Sequence, residues 1–143
     1  MTIFNLAWKF FMLLGVVFVG MGLYFLLIRP AFIMQPEDVR VAKLTGDQIK
    51  SYSPDLFLWL TFVIRAWGSF CLGFGTLVIG VSLLSFRKKE KWSYYLLTVS
   101  ILPLLLIFFA IQYAMKGDFY IPLAIVLIIS LFLFAATRKH FAK

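Results

Sequence analysis

Residues 123–136 read LAIVLIISLFLFAA, a stretch in which Ser130 is the only residue with a polar side chain. The stretch does not alternate between polar and apolar residues, as the strands of a membrane barrel do with a period of two. Backbone groups in lipid must otherwise form hydrogen bonds within their own segment. The run therefore predicts a helix that spans a membrane.

Four apolar runs of this kind are long enough to cross a hydrocarbon core of about 30 Å as helices. The runs cover residues 5–28, 56–86, 93–115 and 119–137. We therefore predict an all-α fold, a polytopic membrane protein with four transmembrane helices in a bundle that forms one domain over residues 1–143. The first run exceeds the apolar region of a signal peptide and no small-residue cleavage site follows it, so we expect a retained helix.

The composition excludes a water-soluble domain, because 63% of the residues are hydrophobic and the mean hydropathy is +0.98. The formal net charge of +8 suggests nucleic acid in a soluble protein. Here the charges are concentrated in short segments between the apolar runs, and membrane topology explains them better. We expect no nucleic-acid partner.

The basic residues also predict the orientation. Eight Lys and Arg fall on the side of Lys9, the connection 87–91 and the tail, and five fall on the side of the long loop 29–55. The positive-inside rule then places both termini and residues 87–91 in the cytoplasm, with the long loop outside the cell. Because residues 87–91 lie next to Trp92, we expect them to anchor the inner face to anionic membrane lipid.

Two helix starts are visible around the end of the long loop. Thr45 and Gln48 fit a capping box, which predicts a short helix near residues 46–52. Ser53, Pro54 and Asp55 then supply a cap, a first-turn proline and an acid at the positive end of the helix dipole. They predict that the second spanning helix begins here.

Arg65 lies inside an apolar run, and a charge inside a spanning helix suggests a functional site. It lies 20 residues before Ser85, or about 30 Å of helix, which places it near the outer edge of the hydrocarbon. There it could snorkel to the headgroups, form a structural ion pair or bind a ligand. We predict an outer-leaflet polar cluster around Arg65, paired with Asp118 or an anionic headgroup. The expected neighbours are Gln112, Tyr113, Tyr120 and Tyr24.

The same helix carries a stripe of small residues on the face of Arg65: Ser69, Gly73, Thr76 and Gly80. Small residues let helices approach closely in membranes, so the stripe predicts contact with a neighbouring helix. A self-dimer or a groove for a lipid tail is the alternative.

Catalytic combinations are missing from the sequence. His140 in the tail is the only histidine, Cys71 is the only cysteine, and no Asp or Glu lies within a predicted span. A Ser-His-Asp triad, a histidine metal cluster and proton transfer by a buried acid are therefore not supported. We expect no enzyme, no cofactor and no metal.

One part of the chain resembles a known family. Arg65-x-Trp67-Gly68, Gly73-Phe74-Gly75 and Phe86-Arg87-Lys88-x-Glu90-Lys91-Trp92-x-x-Tyr95 resemble the middle of small bacterial DoxX-like membrane proteins. The resemblance spans about residues 64–95 and implies a four-helix bundle in a prokaryotic cytoplasmic membrane. Some DoxX-like relatives are subunits of quinone-linked oxidoreductases, but no redox residues here carry that role over.

We therefore expect a non-enzymatic membrane protein that acts as an accessory subunit and binds lipid, a partner membrane protein or a second copy of itself. The alternative is a transporter-like or quinone-linked redox-associated protein that binds a small molecule or lipid at the cluster around Arg65.

Overall fold

The computed structural model describes residues 2–29 and 36–141, and within these ranges the chain forms α-helices and no strand. The helices are α1 (Ile3–Leu23), α2 (Pro36–Ala42), α3 (Gly46–Tyr52), α4 (Pro54–Val81), α5 (Lys91–Ala114) and α6 (Tyr120–Thr137). Two of them, α1 and α4, continue into five-residue π-helical segments, Tyr24–Ile28 and Ser82–Phe86. A short 3₁₀ turn, Arg138–His140, follows α6.

Four of these helical stretches are long and apolar enough to cross a membrane. They cover Ile3–Ile28, Pro54–Phe86, Lys91–Ala114 and Tyr120–His140, close to the four predicted spans. Large apolar side chains on them stay exposed, among them Phe70 at 74% and Ile128 at 65%. Contiguous apolar surface of this kind is solvated by lipid rather than water. The predicted all-α fold with four membrane-spanning helices is confirmed.

Both predicted helix starts are present with their capping contacts. The Gln48 backbone N–H donates to the Thr45 hydroxyl at 3.3 Å, and the Thr45 N–H donates to the Gln48 side chain at 2.8 Å. This capping box opens α3 at Gly46. The Leu56 N–H donates to the Ser53 hydroxyl at 3.2 Å, and α4 begins at Pro54. Short-range hydrogen bonding thus sets where these two helices begin.

The chain forms two compact units. The first runs from Val16 to Thr76, and the second combines the residues up to Gly15 with those from Leu77 onward. In the first unit, α1 and α4 approach closely at Gly22 and Gly68. A Cβ atom at Gly22 would lie 2.6 Å from the Leu72 backbone nitrogen and 2.8 Å from the Gly68 carbonyl oxygen. Only glycine allows this separation, which is a common way for helices to pack in membranes.

The first unit also contains an ion pair that the sequence did not single out. Arg29, just after the π-helical segment, pairs with Asp38 in α2, and both side chains are largely buried. The Arg29 guanidinium also lies 5.3 Å from the centre of the Phe25 ring. These contacts tie α2 to the end of the first span.

An aromatic cluster forms the core of the second unit. Phe11 is fully buried and stacks on Phe134 with ring centres 4.4 Å apart, and it meets Phe86 edge-on at 5.6 Å. The Tyr94 hydroxyl donates to the Phe134 carbonyl at 3.1 Å and joins α5 to α6. The core of this unit is thus built from aromatic rings of α1, α5, α6 and the π-helical segment that ends at Phe86.

Candidate functional site

Arg65 is exposed and lies in α4, within the candidate span Pro54–Phe86. Tyr24 is half-buried at the start of the first π-helical segment, and its ring contacts Phe25 with centres 5.5 Å apart. These two residues belong to the unit that runs from Val16 to Thr76. The other four residues of the predicted polar cluster belong to the second unit. The pairing of Arg65 with Asp118 therefore stays a prediction.

The remaining four residues of that cluster lie around the connection between α5 and α6. The Tyr113 and Tyr120 rings meet nearly perpendicular, with centres 6.3 Å apart. Gln112 is half-buried, and its side-chain oxygen lies where a Cβ on Gly117 would stand. The Gly117 N–H donates to the Gln112 carbonyl, as in a Schellman helix end, and Asp118 follows as an exposed residue. Gln112 and Tyr113 thus lie at the end of α5, and Tyr120 lies at the start of α6 with its ring against that of Tyr113.

The predicted packing stripe on α4 faces open space. A Cβ at Gly73 or Gly80 would meet nothing within 4 Å. Ser69 and Thr76 are exposed, and their hydroxyls donate to carbonyls one turn earlier in the same helix, at 3.1 and 2.8 Å. Such internal hydrogen bonds let a hydroxyl face lipid. Contact of this stripe with a neighbouring helix stays a prediction, and so does the alternative of a self-dimer or a groove for a lipid tail.

The buried face of α4 is a different one. The buried residues of α4 recur at alternating steps of three and four, at Gly68, Cys71, Gly75 and Val78. The spacing continues at Ser82 and Ser85 in the π-helical segment that follows. This spacing is that of a helix seam in a bundle. The sequence contains small residues on both faces of α4, and the buried face is the one that begins at Gly68.

Three segments that are distant in the sequence meet at one end of the second unit. The Phe4 ring, in the first turn of α1, lies 5.8 Å from the Phe86 ring, 5.3 Å from the His140 ring and 5.9 Å from the Phe141 ring. The start of α1, the connection after Phe86 and the tail are therefore neighbours. These are the segments that the positive-inside rule assigns to one side.

This end is densely cationic. Its exposed basic residues are Lys9, Arg87, Lys88, Lys89, Lys91, Arg138 and Lys139. Glu90 is the acid within the connection, and the Trp92 indole N–H donates to its carboxylate at 2.7 Å. Hydrogen bonds from Ser85 and Trp92 hold the pKa of the Glu90 carboxyl below its usual range, and Lys88 acts in the same direction. Glu90 is thus ionised at neutral pH and fixes Trp92 beside the basic residues.

A groove of about 540 Å³ opens at this end. Its walls come from the first turns of α1, from the connection after Phe86 and from the tail: Thr2, Phe4, Asn5, Trp8, Lys9, Arg87, Lys89 and His140. We call it the inner groove, after the side of the membrane that the positive-inside rule predicts for these segments. Its lining combines three cationic side chains with two aromatic rings, an imidazole and two uncharged polar side chains.

Several groove residues have no obvious signal in the sequence. Trp8 belongs to the first apolar run, Phe4 directly precedes that run, and His140 stands alone in the tail. For Phe4 and Trp8 the available signal was Lys9, which interrupts the first run one residue after Trp8. It indicates that this turn of the helix lies at the interface and not in the hydrocarbon.

The fold and these features define an all-α membrane protein with a cationic, aromatic-lined end. Comparison of the chain with protein-family models, with curated proteins and with solved structures found no match.

Proposed function

We propose that this chain is a non-enzymatic membrane protein of the cytoplasmic membrane that binds anionic lipid at its inner face and acts as an accessory subunit for a partner membrane protein or a second copy of itself. In this proposal both termini and residues 87–91 lie in the cytoplasm. The resemblance of residues 64–95 to DoxX-like proteins supports the same class.

The main observation behind this proposal is the concentration of cations and tryptophans at one end of an apolar helical protein. Exposed basic residues from three segments meet there, beside Trp8 and Trp92. A Lys or Arg close to an anionic leaflet contributes about 1 kcal/mol of attraction, and tryptophan rings prefer the headgroup region. Several such residues on one surface support binding to anionic lipid without any catalytic group.

A second candidate function rests on Arg65. It is an exposed cation within the candidate span Pro54–Phe86, and such a residue pairs with a polar group of protein, ligand or lipid. A small-molecule or lipid site on the outer leaflet, in a transporter-like or quinone-linked redox-associated protein, would use this guanidinium.

One experiment separates the two candidates. The protein is purified gently in a non-ionic detergent, and the retained lipids and chains are identified by mass spectrometry. Wild type is compared with Arg65→Leu and with a variant in which Arg87, Lys88, Lys89 and Lys91 are all replaced by glutamine. Each variant is first checked for a monodisperse elution profile and a helical circular dichroism spectrum.

We expect wild type and Arg65→Leu to retain anionic lipid above its share in the membrane, and the four-glutamine variant to lose this enrichment. Loss in Arg65→Leu alone would favour the second candidate. A wild-type protein with no lipid enrichment and no accompanying chain would contradict both.

A further inference from the structure

We propose that the inner groove is a specific binding site for one phosphate group, and not only part of a diffuse basic surface. This inference rests on the proposed function only in placing the groove beside the inner leaflet. The ligand chemistry is a phosphate monoester or diester, presented by an anionic phospholipid headgroup or by a free phosphate compound.

The cations of the groove are held by aromatic rings. The Arg87 guanidinium lies 5.1 Å and the Lys9 ammonium 5.6 Å from the centre of the Trp8 ring, and the Lys89 ammonium lies 5.3 Å from the centre of the Phe4 ring. Cation–π contacts of this kind orient long side chains that would otherwise move freely in solvent. Less side-chain entropy is then lost when an anion binds.

The Phe4 ring is itself held in place by the aromatic side chains packed against it. Phe4 is buried and contacts Phe86, His140 and Phe141. The position of Lys89 over Phe4 is thus tied to the aromatic core of this end. A diffuse basic surface has no such support beneath its lysines.

The start of α1 adds the positive end of a helix dipole to the same groove. The Asn5 N–H donates to the Thr2 hydroxyl at 3.3 Å, and the Leu6 N–H donates to the Thr2 carbonyl at 3.1 Å, so Thr2 caps the helix. The positive end of a 21-residue helix therefore opens beside three cations. Together they favour an anion with several acceptor oxygens.

The remaining lining suits an amphiphilic or bulky phosphate compound. Phe4 and Trp8 supply apolar walls, and Asn5 and His140 supply hydrogen-bonding groups for substituents on the phosphate. The groove volume of about 540 Å³ lies within the range of small-ligand sites. The planar guanidinium of Arg87 can bind two phosphate oxygens through parallel N–H donors, whereas a lysine ammonium acts as a point charge.

The backbone conformation of Lys89 allows the contribution of its charge to phosphate binding to be tested without straining the turn. Lys89 has a φ of 63°, a left-handed conformation that glycine adopts more easily than lysine. The Lys89→Gly substitution removes a groove cation and relieves this backbone conformation at the same time. Loss of binding in this variant therefore cannot come from a strained turn.

Lys116 is the matched control. It has a φ of 52° at the end of α5 and does not line the groove. The Lys116→Gly substitution removes the same charge in the same backbone conformation. Lys88→Gln, from the same connection but outside the groove lining, controls for the net charge of the inner end.

The experiment follows the melting temperature of each detergent-solubilised protein during titration. The probes are dioctanoyl phosphatidylglycerol, dioctanoyl phosphatidylcholine and inorganic phosphate. We expect phosphatidylglycerol to raise the melting temperature of wild type, Lys116→Gly and Lys88→Gln at similar concentrations. Lys89→Gly and Arg87→Gln should need about tenfold more of it, the loss that one charged hydrogen bond implies.

The two ligand sources are separated by the probes. Stabilisation by phosphatidylglycerol alone assigns the site to a lipid headgroup, and equal protection by inorganic phosphate assigns it to a free phosphate compound. If Lys88→Gln and Lys89→Gly weaken phosphatidylglycerol binding equally, the proposal of a specific site in the groove is wrong. The proposed binding of anionic lipid by the whole basic surface would still hold. If none of the phosphate probes raises the melting temperature of the wild-type protein, the proposed phosphate site is also wrong.

Discussion

Replacing Phe11 by alanine is expected to lower the free energy of unfolding by about 3 kcal/mol, the lower end of the range for a buried phenylalanine. Phe11 is fully buried between the Phe134 and Phe86 rings. The unfolded chain in a micelle is also surrounded by apolar groups, so the transfer energy contributes little. The loss comes from the contacts that the surrounding rings no longer make.

The matched control is Phe132→Ala on α6. Phe132 is 59% exposed and faces outward, so its removal should change the free energy of unfolding by less than about 0.5 kcal/mol. Unfolding by sodium dodecyl sulfate, followed by circular dichroism, measures both variants. Equal losses in the two variants would mean that the aromatic cluster is not the core of its unit.

Gly22→Ala is expected to lower the free energy of unfolding by about 2 kcal/mol, as overpacking in a tight core does. The new methyl group would lie 2.6 Å from the Leu72 backbone nitrogen, and a backbone atom cannot move aside as a flexible side chain can. The two helices must separate to accept it.

Gly20→Ala is the control for this prediction, because a Cβ at Gly20 meets nothing within 4 Å. Alanine there should be neutral or slightly stabilising, since it has the higher helix propensity. The same denaturant titration compares the two variants. A Gly22→Ala protein as stable as Gly20→Ala would contradict the close approach of α1 and α4.

Local features were predictable from the sequence because the residues that cause them are adjacent. Thr45 and Gln48 form the reciprocal hydrogen bonds of a capping box, and Ser53 caps α4 one residue before Pro54. The membrane spans were equally predictable from the sequence, since length and apolarity alone decide whether a helix can cross a bilayer. Neither inference needs to know what lies next to the helix.

The packing face of α4 was not predictable in this way. The helix carries Gly73 and Gly80 on one face and Gly68 and Gly75 on another, and lipid and protein neighbours are both apolar. Small residues alone therefore do not show which face meets a helix. The deciding fact is the position of Gly22 against Gly68, which depends on tertiary structure.

The inner groove could not be predicted from the sequence for a related reason. Its cations were visible in the connection after Phe86, but Phe4 and His140 are separated by almost the whole chain. Charge counting predicts a basic face, while a discrete site needs the aromatic rings that hold Arg87 and Lys89 in place.

Our main proposal is that four apolar helices cross the membrane with the basic connection inside the cell. Its most direct test is labelling of intact cells with a membrane-impermeant maleimide, using Cys71→Ser as the background. We expect a Ser51→Cys variant to be labelled in intact cells and a Lys88→Cys variant only after permeabilisation. Labelling of Lys88→Cys in intact cells, with Ser51→Cys protected, would contradict the orientation and the inner-leaflet site with it.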